Sequence, residues 1–215
     1  MKTLILFDLD GTLLDSLGDL TDSTNHVLAQ YGCPLRTPDE IRSFVGNGAE
    51  VLIRMALPGK ESDPPVAEAL AAYKAHYATH SRIKTKPYDG IPEAIAEIAK
   101  KHPVAIVSNK PDEATKALAK DLFGGMSAWG ESADCKRKPA PDMLYKAMQE
   151  LGADTCIYVG DSEVDVETAR NAGVKCLSVL WGFRDKQVLI DAGATHFCED
   201  PKDMAAMIEE MIHGK

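Results

Sequence analysis

The segment from Leu4 to Thr12 reads Leu-Ile-Leu-Phe-Asp-Leu-Asp-Gly-Thr, and the predicted fold rests largely on it. Its first four residues form an unbroken apolar run, whereas a strand with one exposed face would alternate apolar and polar residues. A run without alternation is typical of a strand buried on both faces, as in a parallel sheet. Two aspartates follow directly, so polar side chains begin at the point where this strand ends.

Three further apolar runs resemble the first, and helical patterns separate them. These runs are Val104–Val107, Cys156–Val159 and Cys176–Leu180. Between them, apolar residues recur on one helical face in the segments 91–98, 114–122 and 144–151. Strands that alternate with helices of this length predict βαβ units and a doubly wound parallel sheet, which is an α/β fold.

One long segment interrupts this alternation. Between Leu14 and Lys84 no strand-like run occurs, and all the patterns are helical. Thr37-Pro-Asp-Glu40 predicts a helix start, because Thr and Glu at this spacing form a capping box and Pro suits the first helical position. We therefore expect a helical module over residues 16–82, inserted into a core formed by residues 1–15 and 83–215.

Composition and charge limit the classes of function. The 215 residues are 45% hydrophobic and 27% charged, as expected for a globular protein. A net charge of −9 without a block of Lys or Arg disfavours nucleic acid or a membrane as partner. Five cysteines without a C-x-x-C pattern support neither a disulfide framework nor a zinc site. With no signal or membrane segment, the sequence predicts a cytoplasmic protein, and either a monomer or a homodimer is compatible with it.

Polar residues gather where three of the predicted strands end. They are Asp8 and Asp10, then Ser108 and Asn109, then Asp161 and Asp165. The carboxyl ends of parallel strands meet at one edge of the sheet, where open α/β sheets bind ligands. Four carboxylates at that edge would repel one another unless a cation lies among them. Ligands that are all oxygen atoms, with no His or Cys nearby, indicate Mg²⁺.

The same residues suggest chemistry on a phosphoryl group. Asp8 and Asp10 are two apart and point to the same side of an extended segment, so one can attack while the other transfers protons. Lys138, held rigidly before two prolines, can neutralise a carboxylate and a phosphoryl oxygen together. Ser108 and Asn109 can donate a hydroxyl and amides to the same group.

Together these pieces resemble the four motifs of the haloacid dehalogenase superfamily of phosphohydrolases. The motifs are Asp8-x-Asp10-Gly-Thr12, Ser108, Lys138-Pro139 and Gly160-Asp-Ser-x-x-Asp165. Longer strings are similar to the phosphoglycolate phosphatase branch of that superfamily, namely Phe7–Ser16, Val45–Gly48 and Val107–Lys110. The resemblance implies a Rossmann-like core, and the helical insertion resembles the small α-helical cap of that branch.

The resemblance also implies roles for individual residues. Asp8 would be the nucleophile that forms an aspartyl-phosphate, and Asp10 would be the acid and base. The implied phosphate-binding residues are Leu9, Asp10, Ser108, Asn109 and Lys138. The implied Mg²⁺ ligands are Asp8, the carbonyl of Asp10 and Asp161, supported from behind by Asp165, Ser162 and Thr12. In the cap, we expect Asn47, Gly48 and Arg54 to contact the leaving group.

The leading hypothesis is a Mg²⁺-dependent phosphatase that acts on a small phosphorylated metabolite similar to phosphoglycolate. A phosphosugar mutase similar to β-phosphoglucomutase remains an alternative, since it would use the same core. A non-catalytic phosphoaspartate signalling module is a second alternative, although the inserted cap would shield its aspartate from a partner kinase. A metal-binding glycosyltransferase with a D-x-D motif is disfavoured, because it offers no counterpart to Asp161 or Lys138.

Overall fold

The computed structural model describes residues 1–59 and 64–214 of the chain. The strands are β1 (Thr3–Phe7), β2 (Leu14–Asp15), β3 (Lys86–Pro87), β4 (Val104–Pro111), β5 (Ala128–Glu131), β6 (Thr155–Gly160), β7 (Lys175–Val179) and β8 (Phe197–Cys198). The helices are α1 (Leu17–Gln30), α2 (Pro38–Phe44), α3 (Ala49–Ala56), α4 (Val66–His80), α5 (Ile91–Ala99), α6 (Asp112–Leu122), α7 (Asp142–Leu151), α8 (Glu163–Ala172), α9 (Lys186–Asp191) and α10 (Met204–His213), with a 3₁₀ turn at Pro201–Asp203.

Six strands form a parallel sheet in the order β5-β4-β1-β6-β7-β8, with β1 near its centre. Phe7, the last residue of β1, lies opposite Ile106 of β4 and Val159 of β6. After β1 the chain first forms β4 and β5 on one side of it, and later forms β6, β7 and β8 on the other side. A topological switch point of this kind opens a crevice at the carboxyl ends of the strands.

The apolar runs form strands because both faces of the sheet are covered. Ile5 and Phe7 point into a cluster that includes residues of α5 and α10, whereas Leu4 and Leu6 point into a second cluster with residues of α7. Successive side chains of a strand point to opposite faces, so an unbroken apolar run supplies two cores at once. The predicted α/β fold with a doubly wound parallel sheet is confirmed.

Three pairings between strands could not be predicted from the sequence, because they involve short strands. β5 and β8 lie at the two edges of the sheet, and β2 pairs with β3 in a separate antiparallel ladder. The strands β2, β3 and β8 are only two residues long, so they carry no period that a sequence pattern can show. The β2–β3 ladder joins the two crossings between the sheet and the helical insertion, with Asp15 opposite Lys86.

The helices α1 to α4 pack around an apolar cluster of their own, which includes Leu28, Ile41 and Ile53. The predicted capping box is present at the start of α2, where the Glu40 N–H donates to Thr37 Oγ1 at 3.3 Å and the Thr37 N–H donates to Glu40 Oε2 at 2.8 Å. Within residues 1–59 and 64–214, no helix has the length and apolar character to span a membrane.

The segment that leads from the helical insertion back to the sheet is bound to α1 by one buried carboxylate. Asp19 accepts hydrogen bonds from the backbone N–H groups of Ile83, Lys84 and Thr85, and from the Thr85 hydroxyl at 2.7 Å. A buried carboxylate is stable only when its oxygens are paired, and this one is paired by three consecutive residues. The side chain of Asp19 therefore fixes where the insertion leaves and rejoins the sheet.

Candidate active site

The site lies at the carboxyl ends of β1, β4 and β6, which are adjacent in the sheet. Asp8 directly follows β1, and its N–H donates to the carbonyl of Val159 at 2.9 Å, which extends the strand pairing by one residue. Ser108 lies in the last half of β4, and Asp161 directly follows β6. Residues that are far apart in the chain therefore meet at one edge of the sheet, as predicted for parallel strands.

Lys138 is the central cation of the site and is buried. Its Nζ lies 2.8 Å from Asp8 Oδ1 and 2.7 Å from Asp165 Oδ1, and it donates to Tyr158 OH at 2.8 Å. Burial by itself would lower the pKa of Lys138, but Asp165 and Asp8 beside it raise that pKa above its ordinary value. The ammonium is therefore charged, and its three N–H groups are all committed.

The side chain of Asn109 holds the backbone of Lys138 in place. Asn109 Oδ1 accepts a hydrogen bond from the Lys138 N–H at 2.8 Å, and Asn109 Nδ2 donates to the Lys138 carbonyl at 3.0 Å. The same Nδ2 also donates to the carbonyl of Gly46 in the helical insertion at 3.0 Å. The side-chain amide of Asn109 is therefore occupied with positioning the lysine and contacting the insertion.

Three buried carboxylates, those of Asp8, Asp161 and Asp165, place oxygen atoms within 4.8 Å of one another. Burial raises the pKa of Asp8 to about 7, an effect that Lys138 opposes and Asp165 reinforces. Burial and the neighbouring carboxylates Asp165 and Asp8 raise the pKa of Asp161 to about 8. Such a cluster of hard oxygen donors, whose three ionised carboxylates would carry more negative charge than Lys138 neutralises, fits a divalent cation.

The members of this acidic cluster differ in how their oxygens are used. Asp165 accepts from Lys138 and Tyr158 with one oxygen and from the Ser162 N–H and hydroxyl with the other. Asp161 accepts only one hydrogen bond on each oxygen from the described residues, from Thr12 Oγ1 at 3.0 Å and from the Phe183 N–H at 2.7 Å. Asp161 thus keeps lone pairs for a cation, whereas Asp165 is occupied with holding Lys138.

Two glycines leave room for the carboxylate of Asp161. Gly11 has a φ of +86°, and a Cβ added there would lie 2.3 Å from Asp161 Oδ2. A Cβ added at Gly182 would lie 2.3 Å from Asp161 Cβ. These distances are far below van der Waals contact, so only glycine allows the two loops to approach the carboxylate this closely.

A second buried lysine, Lys110, lies beside Asp10. Its Nζ is 2.9 Å from Asp10 Oδ2 and donates to Tyr77 OH of helix α4 at 2.6 Å. Ser16 Oγ donates to the other oxygen of Asp10 at 2.6 Å. Lys110 belongs to one of the motif strings, but the sequence alone indicated no role for it, nor for Tyr77 or Tyr158. A buried lysine is uncommon enough to be a signal, but only the fold shows what it contacts.

The remaining residues named from the sequence lie partly inside and partly outside the cavity. Ser108 is buried beside the site, and its Oγ accepts from the Lys110 N–H at 3.3 Å. The Leu9 side chain belongs to the apolar core, so only its backbone can face a phosphate. Gly48 lines the same cavity as Asp8, whereas Asn47 lines a neighbouring groove. Arg54 is exposed and pairs with Glu50 on its own helix at 2.6 Å, so the structure does not bring it into the cavity.

The helical insertion covers this edge of the sheet and is joined to it by two arginines. Arg184 donates to the carbonyls of Arg42 and Val45, at 2.9 and 2.6 Å, and pairs with Glu163. In return, Arg42 donates to the carbonyl of Phe183 at 2.7 Å. A small cavity lies between the sheet edge and the insertion, with room for several water-sized groups. The site therefore suits a small ligand.

Buried carboxylates, two buried lysines and a hydroxyl lie together at the switch point of a parallel sheet, an arrangement that suits a small anionic ligand. The sequence model of the haloacid dehalogenase-like hydrolase family matches residues 5–179. The chain belongs to this family. The resemblance seen in the motifs is thereby confirmed.

Relatives narrow the class further. Phosphoglycolate phosphatase 1 of Pseudomonas aeruginosa is 31% identical over 215 aligned positions, and the alignment covers 95% of this chain and 79% of that protein. The phosphoglycolate phosphatase of Mesorhizobium japonicum is 36% identical over 200 aligned positions, and the alignment covers 87% of this chain and 86% of that protein. A crystal structure from Lactobacillus delbrueckii subsp. bulgaricus, of a protein proposed to be a phosphoglycolate phosphatase, has a TM-score of 0.87 at 35% identity and covers 96% of this chain and 98% of its own. The chain is a phosphatase similar to these proteins, a phosphoric monoester hydrolase with a small phosphorylated substrate.

Proposed function

We propose that the protein is a Mg²⁺-dependent phosphatase that hydrolyses a small phosphomonoester similar to phosphoglycolate through a phosphorylated Asp8. The observation that carries this proposal is the setting of Asp8 at the end of the central strand. One of its oxygens is fixed by Lys138, and the carboxylate of Asp161 lies close by. The proposed nucleophile, Asp8, and the ammonium group of Lys138 are thus held together in a buried site.

In the first half of the reaction, Asp8 attacks the phosphorus atom. An Asp8 oxygen forms a bond to phosphorus, the bond from phosphorus to the ester oxygen breaks, and Asp10 gives a proton to the departing alcohol. Ser108 Oγ and the backbone amides after Asp8 and Ser108 hold the phosphoryl oxygens, and Lys138 balances their charge. Splitting one displacement into two steps lowers the barrier of each.

In the second half, water replaces Asp8 on phosphorus. Asp10, now a carboxylate, takes a proton from a water molecule, whose oxygen attacks the aspartyl-phosphate. The bond between phosphorus and the Asp8 oxygen breaks, which releases inorganic phosphate and restores the carboxylate. Ser16 and Lys110 fix the two oxygens of Asp10, so that its carboxylate is oriented for both proton transfers.

The cation would be held by Asp8, the Asp10 carbonyl and Asp161, with Asp165, Ser162 and Thr12 behind them. When bound, Mg²⁺ supplies positive charge against the phosphoryl oxygens and the nucleophile. Three facts support a dedicated site, namely the oxygen donors within 4.8 Å, the raised pKa of two of them and the glycines that surround Asp161. The chain itself holds Asp161 in orientation through Thr12 and Phe183.

We propose further that residues 16–82 are a cap over a core of residues 1–15 and 83–215. The contacts from Asn109 and Arg184 to the Gly46 and Val45 carbonyls support this assignment, because they hold the insertion against the catalytic edge. A closed cap excludes water from the first transfer and places α4 beside the leaving group. Gly48 and Tyr77, which line the cavity, are better placed for that contact than Asn47 or Arg54.

The experiment that tests this function is release of inorganic phosphate from a panel of small phosphomonoesters, assayed in Mg²⁺ and in chelator. We expect steady release from 2-phosphoglycolate in Mg²⁺ and at least a ~100-fold lower rate in chelator. Glucose 1-phosphate is included with a bisphosphate activator, because a mutase would convert it without releasing phosphate. Full activity in chelator, or isomerisation of the sugar phosphate without phosphate release, would refute the proposal.

Proton release on metal binding provides an independent prediction. With pKa values of about 7 and about 8, Asp8 and Asp161 carry protons in the metal-free protein at about pH 6. A bound cation favours the charged carboxylates, so adding Mg²⁺ should release roughly one to two protons per chain at that pH, and almost none above about pH 9. Titration in weakly buffered solution measures the release.

The same raised pKa values predict how the metal-free protein responds to pH. A carboxyl group whose pKa is raised by folding stabilises the protein below its unfolded pKa, and this contribution is lost as the pH rises through the folded pKa. The metal-free protein should therefore lose stability as the pH rises from about 4 to about 8, and Mg²⁺ should remove this loss. Thermal unfolding across this range measures the effect. Binding of Mg²⁺ that raises Tm without releasing protons would place the metal elsewhere.

A further inference from the structure

Three cationic side chains line the cavity among the described residues, namely Lys110, Lys138 and Arg184. They differ in how many of their hydrogen-bond donors remain available. Lys138 uses three donors on Asp8, Asp165 and Tyr158. Arg184 uses four of its five N–H donors, on Glu163 and on the backbone carbonyls of Arg42 and Val45. Lys138 is therefore fully occupied by the protein itself, and most of the Arg184 donors bind protein groups rather than face a ligand.

Lys110 is different, because its ammonium has two partners in the described part of the chain. These are Asp10 Oδ2 at 2.9 Å and Tyr77 OH at 2.6 Å, so one of its three N–H groups has no acceptor there. The side chain is buried, and leaving such a donor unpaired away from water is costly. The Lys110 side chain lines the cavity, where a ligand can supply the missing acceptor.

Tyr77 adds a second available donor at the same place. Its hydroxyl oxygen accepts from Lys110, and its own hydrogen is donated to no residue of ranges 1–59 and 64–214. Tyr77 is buried on α4 and stacks on Tyr73, with ring centroids 5.4 Å apart and ring planes at 11°. Both rings line the cavity, so the hydroxyl is held rigidly beside the ammonium. An ammonium and a hydroxyl side by side are a pair of donors that suits a carboxylate.

The position of this pair relative to Asp10 indicates which part of the substrate it meets. In the proposed reaction Asp10 transfers its proton to the ester oxygen. Lys110 Nζ lies 2.9 Å from the Asp10 carboxylate. An atom group one carbon beyond the ester oxygen therefore comes within reach of the ammonium. The charge of Lys110 is also what makes an anionic group acceptable so near to Asp10, because it offsets the repulsion between two carboxylates.

We infer that Lys110 and Tyr77 form the subsite that binds a carboxylate on the leaving group, so that the enzyme selects phosphomonoesters with a carboxylate one carbon from the ester oxygen. This inference rests on the proposed function, since it assumes that Asp10 faces the leaving group. The cavity then has two cationic ends, with Lys138 at the phosphoryl group and Lys110 at the carboxylate. Both lysines line the same small cavity.

The test compares two substrates that differ only at that group. In 2-phosphoglycolate the group is a carboxylate, and in 2-hydroxyethyl phosphate it is a neutral hydroxymethyl group. We expect the wild-type protein to prefer phosphoglycolate in kcat/KM, and Lys110→Met to lower this preference by roughly 10- to 100-fold. Tyr77→Phe, which keeps the ring, should lower it by about 3- to 10-fold. The exposed Lys116, paired with Asp112 on its own helix, provides the matched control, and Lys116→Met should leave the preference unchanged.

The ratio of the kcat/KM values for the two substrates separates loss of carboxylate binding from an effect on Asp10. Loss of the Lys110–Asp10 contact slows both substrates equally and cancels in the ratio, whereas loss of the subsite slows only phosphoglycolate. A ratio in Lys110→Met within about twofold of the wild-type ratio would overturn the inference. If the wild-type protein hydrolysed neither substrate, the proposed function would fail on its own.

A binding measurement decides the inference without turnover. In 3-phosphonopropionate a methylene replaces the ester oxygen of phosphoglycolate, and propylphosphonate lacks the carboxylate. We expect the wild-type protein to bind the first more tightly than the second in Mg²⁺, by calorimetry, and Tyr77→Phe to reduce the difference even if Lys110→Met does not fold. Equal affinity of the wild-type protein for the two phosphonates would contradict the subsite.

Discussion

Replacement of Asp8 by Asn should lower kcat by at least about 10⁴-fold while leaving the fold intact. The Asn side chain has nearly the same shape, and its Oδ1 can still accept from Lys138, but its amide cannot attack phosphorus. Stability should not fall, because the change removes one of three crowded carboxylates, and the pKa of Asp8 is already raised to about 7 by burial. In chelator the variant should be at least as stable as the wild-type protein.

Steady-state phosphate release and thermal unfolding of the same preparations check this expectation. Asp134→Asn is a suitable control, because Asp134 is exposed and lies outside the site. A variant at position 8 that kept a near-normal rate would show that Asp8 is not the nucleophile. A variant that lost both activity and its folded structure would instead show that the carboxylate is structural.

Replacement of Lys138 by Met should have the second largest effect, on both activity and stability. Activity should fall by about 10³-fold, since the positive charge that balances the transferring phosphoryl group is lost. In chelator the free energy of unfolding should fall by about 3 kcal/mol, because Asp8 and Asp165 lose their buried partner. Saturating Mg²⁺ should restore part of the stability, but not the activity.

Lys136→Met gives the matched control for this variant, because Lys136 is exposed two residues earlier in the same loop. Denaturant unfolding with and without Mg²⁺, together with kcat, separates the two effects. If Lys138→Met were as stable as the Lys136→Met control in chelator, the carboxylates would be protonated or solvated rather than paired with the lysine. Retained activity would remove Lys138 from the phosphoryl site.

The parallel core was predictable because an unbroken apolar run suits few environments in a folded protein. Leu4 to Phe7 can be accommodated only where both faces are covered, and three similar runs with helices between them leave a doubly wound sheet as the simplest arrangement. Polar residues placed directly after such runs also indicate which edge of the sheet carries the candidate site. The positions of Asp8, Ser108 and Asp161 beside one another follow from topology alone.

The contacts of the helical insertion were much harder to predict. The sequence predicts that Arg54 contacts the leaving group, but its side chain is exposed and pairs with Glu50. In the sequence Tyr77 is only one of the apolar positions of a helical pattern, although its hydroxyl contacts a lysine of the sheet. Which face of a helix turns toward the sheet depends on tertiary packing, and helical periodicity shows only which face is apolar.

The central claim is that Asp8 carries the phosphoryl group between the two half-reactions, and one measurement tests it directly. During steady-state turnover of 2-phosphoglycolate in Mg²⁺, the reaction is quenched in acid, reduced with borohydride and analysed by peptide mass spectrometry. An aspartyl-phosphate is reduced to homoserine, so we predict homoserine at position 8 in the wild-type protein and none in Asp8→Asn. Turnover in the same sample with Asp8 unmodified, or with the modification at another residue, would contradict the claim.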